Sequence, residues 1–235
     1  PFKLVSELYY KTYSSLIPYE LENVRLRYYA RNNAVGFARG ADFKLNGEFV
    51  QGIESWASLS FLSTKEDLVD DQFTRFFNQQ GQVIDAGVRD QVAVDSAVVR
   101  PGFIPRPTDQ LMSFGLFFQD QMLRFKDYKV NINLVFATGL PFGPPSFDRF
   151  GDTLRTPSYR RVDIGFLREI VNENKPGKGL LKHAKQAFLS VEVFNLLQIS
   201  NTINYQWIEG TNGAQYAVPN YLTARRVNVK FVVRF

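Results

Sequence analysis

Along most of the chain, hydrophobic and polar residues alternate one for one. At the C-terminal end Val227, Val229, Phe231, Val233 and Phe235 are separated by Asn228, Lys230, Val232 and Arg234. Successive side chains of a strand point to opposite faces, so a period of two gives one apolar and one largely polar face. The same rule sets Val130, Ile132, Leu134 and Phe136 against Lys129, Asn131, Asn133 and Val135, and Val162, Ile164 and Phe166 against Arg161, Asp163 and Gly165. It recurs in Met112, Phe114, Leu116 and Phe118, in Ala57, Leu59 and Phe61, in Phe37, Ala41, Phe43 and Leu45, and in Phe2, Leu4, Leu8 and Tyr10. Within 185–199 the pattern blurs, because Phe188 and Phe194 fall on the polar side. Eight strands are predicted, over 2–13, 35–47, 52–66, 108–123, 128–138, 158–171, 185–199 and 222–235.

These strands run to about 11–16 residues, whereas soluble strands average ~5–6 and a tilted membrane-spanning strand needs ~9–11. The connections alternate in length: 14–34, 67–107, 139–157 and 200–221 are long, and 48–51, 124–127 and 172–184 are shorter. Short turns at one end and long loops at the other are the mark of an up-and-down barrel in an outer membrane. The expectation is an all-β, antiparallel, up-and-down transmembrane β-barrel fold, with the C-terminus on the periplasmic side. Asn46-Gly47 and Lys126-Asp127 read as tight reversals, and Gly and Pro gather in the long segments. Segment 24–31 also alternates and reads as strand extending above the membrane in the first long loop. Lys3, Glu7, Lys11, Asp42, Lys44, Asn131, Asn133, Asp163, Glu192, Arg226, Lys230 and Arg234 make the inward face one that wants water or a polar plug. A soluble sheet with one wet face is the competing architecture.

Composition narrows the classes. The 235 residues hold 28 Lys+Arg and 23 Asp+Glu, a net charge of +5, with one His and no Cys. Without Cys there are no disulfides, thiolate metal sites or cysteine nucleophiles. The basic residues are scattered among acids, so nucleic-acid binding, which needs a continuous basic track, is not expected. No run approaches the ~18 apolar residues of a membrane helix. The chain opens at Pro1-Phe2-Lys3 with neither Met nor a leader, which is expected of a processed protein or of a piece of a longer one.

The residues from Val191-Glu192-Val193-Phe194-Asn195-Leu196-Leu197 through Asn201-Thr202-Ile203-Asn204-Tyr205-Gln206-Trp207 to Tyr216-Ala217-Val218-Pro219-Asn220-Tyr221-Leu222-Thr223-Ala224-Arg225-Arg226 resemble the C-terminal end of TonB-dependent outer-membrane receptors of the Bacteroidetes type. Leu16-Ile17-Pro18-Tyr19-Glu20-Leu21-Glu22-Asn23-Val24, Phe43-Lys44-Leu45-Asn46-Gly47-Glu48-Phe49-Val50 and Pro157-Ser158-Tyr159-Arg160-Arg161-Val162-Asp163-Ile164-Gly165-Phe166 add to the resemblance, and Phe231, Val233 and Phe235 are similar to the signal read by the barrel-assembly machinery. The resemblance implies the last part of a plugged barrel of about 22 strands, residues 1–235 forming a single barrel segment without the plug. It further implies energy-coupled uptake of a large nutrient (siderophore, vitamin, peptide or glycan) in the outer membrane of a Gram-negative bacterium. The implied partners are outer-membrane lipids, the assembly machinery, and TonB acting through the missing plug. The alternative is a small passive or structural outer-membrane barrel, an adhesin-like binding module.

Catalytic chemistry finds little support. His183 stands alone in a turn beside Lys182 and Lys185, without a partner for nucleophilic or metal chemistry. Glu66, Asp67, Asp70 and Asp71 match no calcium loop and read as a solvated acidic stretch. The expectation is a protein that is not an enzyme and needs no cofactor or metal. Ligand-binding candidates are loop aromatics: Tyr205, Trp207 and Tyr216 in 200–221, and Phe142, Phe147 and Phe150 in 139–157. Mutual packing of the loops is the competing role for these rings.

Overall fold

The computed structural model describes residues 2–22, 25–50, 53–84, 88–121, 127–144, 149–151, 153–211 and 215–235. The fold is all-β, built on one antiparallel up-and-down sheet. Its long strands are β1 (Phe2–Leu16), β4 (Ala34–Val50), β5 (Ile53–Leu68), β9 (Met112–Gln121), β10 (Tyr128–Ala137), β13 (Tyr159–Val171), β14 (Gln186–Phe194) and β17 (Arg226–Arg234), hydrogen-bonded in that order. All eight predicted strands are present. Each long connection contains a hairpin of its own: β2 (Tyr19–Glu22) with β3 (Arg25–Tyr28), β6 (Phe73–Phe77) with β7 (Asp95–Val99), β11 (Pro141–Phe142) with β12 (Leu154–Arg155), and β15 (Thr202–Glu209) with β16 (Gln215–Tyr221). The two-residue β8 (Ile104–Pro105) adds to β5 beyond the end of β9.

Register keeps the two faces in phase. Leu4, Leu45, Ala57, Leu116, Leu134 and Val162 form one row across six strands. Gln119, Asn131, Gly165, Glu192 and Asn228 form a row on the opposite face. Phe188 and Phe194 do lie with the polar set, opposite Val232 and Arg226, and the Arg161 guanidinium sits 5.5 Å from the Phe194 ring centre, a cation–π contact that gives this ring a polar neighbour.

Several boundaries differ from expectation: β9 starts at Met112 rather than 108 and β17 at Arg226 rather than 222, and three further differences have a local reason. Asn46-Gly47 is not a reversal but lies inside β4, where Gly47 faces Phe2 and a side chain there would collide with the Phe2 ring. Strand β14 stops at Phe194 rather than 199 because Asn195 adopts φ 53°, a left-handed conformation that Asn tolerates better than most residues. Its side chain bonds the turn from within, Nδ2 donating to Ile199 O (2.9 Å) and Thr223 O (3.3 Å) and Oδ1 accepting from Ile199 N (3.1 Å). Segment 24–31 is no continuous strand; its described part contributes β3, folded back on β2.

The strand ends are staggered. The row beginning at Phe2 passes Gly47 and Ser55, then Phe118 (one step past the Trp56–Phe117 pair), Ile132, Ile164 and Val193 to reach Val227. Phe2 is the turn-end residue of β1, but the turn-end residue of β17 is Arg234, seven residues beyond Val227. With a rise of ~3.4 Å per residue and ~4.8 Å between strands, this slope tilts the strands by about 35° from the perpendicular to the line of their ends.

Burial is inverted relative to a soluble domain. Among the described residues the buried hydrophobics are eight side chains, five of them alanines, with one small cluster of Ala34, Leu68 and Ile104, whereas eleven polar or charged residues are buried, including Thr64, Glu66, Asp163 and Ser190 on the polar face. On the other face Phe61, Phe166, Val227, Val229 and Phe231 are 43–66% exposed. The chain exposes 15807 Å², against about 10,800 Å² for a compact monomer of this mass. No second layer covers the apolar face, and β1 and β17 are open edges among the described residues.

Replacing Asn195 with alanine removes the internal bonds and strains the left-handed backbone. We expect a loss of about 1–3 kcal/mol, with Asn195→Gly recovering only the backbone part. Denaturant unfolding of the three proteins checks this.

Candidate functional site

All four long connections lie at the same end of the sheet, and two of them, 69–111 and 138–158, are tied to the polar face by buried charge. Glu66, on β5, is fully buried and accepts from Arg149 Nη2 (2.8 Å) and Arg106 Nε (3.2 Å). Arg149 starts a short 3-10 turn, Arg149–Gly151, and its Nη2 also donates to Pro105 O at 3.2 Å. Asp109, likewise buried, accepts from Thr64 N (2.6 Å) and forms an ion pair with Arg155. Arg155 Nη1 donates in addition to Gly139 O at 3.0 Å. Arg106 lies over the Tyr13 ring, 5.5 Å from its centre.

Glu66 is therefore not part of a solvated acidic stretch, as its neighbours in sequence suggested. Asp70 and Asp71 do occupy the turn after β5, Asp70 with φ 69°. Asp71 has its pKa raised, first by partial burial and second by the Asp67 charge. His183 is exposed in the turn before β14. Among the described residues no three His, Asp or Glu side chains form a metal-binding cluster.

Aromatic pairs complete the loop assembly. Phe73 stacks on Phe150 at 3.9 Å, and Phe142 stacks on Tyr205 at 4.4 Å with planes 10° apart. Trp207 approaches Phe142 at 6.1 Å. Tyr205 and Trp207 share one side of β15, as the period of two requires. Tyr216 pairs with Ile208 and is 57% exposed, so it does not join them. Phe147 lies outside the described residues.

The Phe142, Tyr205 and Trp207 rings border a cavity of about 340 Å³ at the loop end. Its other walls come from four regions: Leu21 of β2, Gln110 before β9, the stretch Ala137–Gly143 with Thr156, Pro157 and Tyr159, and Thr202–Asn204 with Leu222. A side chain at Gly139 would collide with the Thr156 carbonyl oxygen, so glycine permits the close crossing that forms this wall. Sequence reasoning found Phe142, Tyr205 and Trp207 but missed Leu21, Gln110 and Tyr159, which sit far apart in the chain and lie together only once the loops converge.

No protein-family model, no curated protein and no solved structure matches the chain. Among the described residues, no helix is long and apolar enough to cross a membrane, a test that does not bear on strands.

Two outcomes are expected at this end of the molecule. Glu66→Ala leaves Arg149 buried without its counter-charge and should cost about 3–5 kcal/mol, with much of the loss restored in Glu66→Ala/Arg149→Met; denaturant unfolding of both variants measures it. For Asp71, a folded-state pKa above the unfolded value means a stabilising contribution complete below the unfolded pKa of about 4 and lost as pH rises through the folded value. Asp71→Asn should therefore raise the thermal midpoint near neutral pH and leave it unchanged near pH 3, and scans at the two pH values would show the reverse only were Asp71 stabilised as an anion.

Proposed function

We propose that the chain is the membrane-spanning barrel segment of a TonB-dependent outer-membrane receptor, which captures a nutrient at its external loops for energy-coupled uptake. One observation carries the reading: a sheet of eight long strands whose large apolar side chains stand uncovered on one face while the charged and polar residues are gathered on the other, Glu66 and Asp163 buried among them. Water is a poor solvent for the first face, at roughly 25 cal/mol per Å² of apolar surface, and hydrocarbon is a good one. The strand tilt of about 35° supports the same reading, since strands of closed barrels tilt by roughly 35–45°. So does the segregation of every hairpin-bearing connection to one end, opposite the short turns.

In this arrangement the apolar rows face lipid, the polar rows face the lumen, and the interlocked loops stand on the extracellular side. Phe231, Val233 and Phe235, which alternate from the middle of β17 to the chain end with Phe231 and Phe235 exposed, are offered to the assembly machinery as the terminal strand. Force on a plug, transmitted from TonB, would open the path that the loops guard. The 27-kDa barrel segment itself supplies the wall and the capture site.

The test is side-chain transfer into lipid. Phe231→Arg in the vesicle-embedded protein should cost about 2–4 kcal/mol near mid-membrane, whereas Lys230→Arg, on the opposite face, should cost close to nothing. Equal, small costs for the two variants in equilibrium unfolding from phospholipid vesicles would remove the membrane assignment.

A further inference from the structure

The loop-end cavity specifies what kind of chemical group it holds, an inference that rests on the receptor reading above. Among its described lining residues there is no Asp, Glu, Lys, Arg or His, in a chain with 51 formally charged side chains, 28 basic and 23 acidic. The charges behind the wall are already matched: Arg155, which holds the Gly139 carbonyl of the lining, is paired with buried Asp109. Several of its polar lining groups are engaged as well. Gln110 Nε2 donates to Thr138 O (3.3 Å), Thr138 Oγ1 accepts from Met112 N (3.0 Å), Thr156 Oγ1 accepts from Leu140 N (3.1 Å), and Asn204 Oδ1 accepts from Asn220 Nδ2 (2.9 Å).

What remains is mainly apolar and aromatic surface. Tyr205, stacked on Phe142, and Trp207 contribute aromatic rings to the lining, and Leu21, Leu140 and Leu222 contribute apolar side chains. Aromatic rings meet other flat groups in stacked or edge-on contacts, worth more than their area alone. An ion entering this space would give up its hydration and find no counter-charge, which is a large cost. A volume of about 340 Å³ stands near the lower end of ligand cavities, which run from roughly 300 to 1,000 Å³. It suits a group of one or two rings and not a whole large nutrient. We propose that this cavity is an anchoring subsite for an uncharged, ring-bearing, mainly apolar group of the captured ligand.

Indole, indole-3-carboxylate and methyl glucoside serve as probes, titrated calorimetrically into the full-length protein in detergent micelles. Indole should bind saturably, with the carboxylate about tenfold or more weaker because its charge is unpaired in the site, and methyl glucoside weaker than indole. Trp207→Ala should weaken indole by a similar factor. Ile203→Arg, at a rim position already 59% exposed, should preserve the fold and shift preference toward the carboxylate. Equal or tighter binding of the carboxylate by the unmodified protein, tighter binding of the glucoside, or no binding of any probe would overturn the proposal. The receptor reading fails separately: absence of a Phe231→Arg penalty in vesicles would remove the membrane assignment even with indole bound, whereas a normal penalty without indole binding would remove only the subsite.

Discussion

Everything in this molecule follows from one constraint: each long strand carries two faces with opposite solvent preferences, and the sheet must keep them apart. Because the side-chain period is two, a slip of one residue between any neighbouring strands would carry a whole apolar row to the polar side. The register avoids this across the middle of the sheet. The irregularities within the main sheet fall near strand ends, between Tyr13 and Leu16, Glu48 and Val50, and Glu169 and Val171, where an extra residue bends a strand without disturbing the rows. The long apolar rows and the long polar rows are thus a single structural fact seen from its two sides.

The polar face then has to be satisfied, and it is satisfied differently at its two ends. At the turn end the ion pairs are partly exposed: Lys129 with Glu169 at 2.8 Å joins β10 to β13, and Lys175 with Asp127 at 2.5 Å joins adjacent turns, and water screens them. At the loop end the charges are buried, so their geometry decides more. Glu66 uses both oxygens, one for each arginine, and those arginines come from two different connections. A buried carboxylate that loses one partner is costly. The second and third long connections are therefore held in place by one shared charge requirement, and aromatic stacks join loops beside this framework.

The period of two made the eight strands legible, along with which residues share a face and the segregation of long connections to one end, because these are local properties of sequence. What escaped was non-local. Nothing near Glu66 announces that Arg106, 40 residues away, and Arg149, 83 residues away, bind it; with Asp67, Asp70 and Asp71 following, the segment looked solvated. Asn46-Gly47 carries a strong turn preference, yet Phe2 across the strand lies over the glycine and extends the ladder past it. Tyr216 was grouped with Tyr205 and Trp207 by residue type, although an explicit hairpin register would have set it on the other side, opposite Ile208. The aromatic cavity was legible as composition but not as a place.

The two open edges link the sheet to the function. In hydrocarbon each unpaired backbone N–H or C=O costs several kcal/mol, so β1 and β17 both need a neighbouring strand there. The two edge strands run antiparallel to each other, the direction that closure of eight strands on themselves would need. A closed eight-stranded barrel, however, has an interior only wide enough for its own side chains. Here the polar face already carries the stacked Trp56 and Phe117 rings, with centres 6.4 Å apart, and Arg161 over Phe194. Closure at eight strands would fill the interior with these groups and leave the loop-end cavity as a pocket with no passage behind it. Under the proposed receptor reading, uptake of anything larger than water would need further strands between the two edges, so that reading goes with a wide barrel rather than an eight-stranded one.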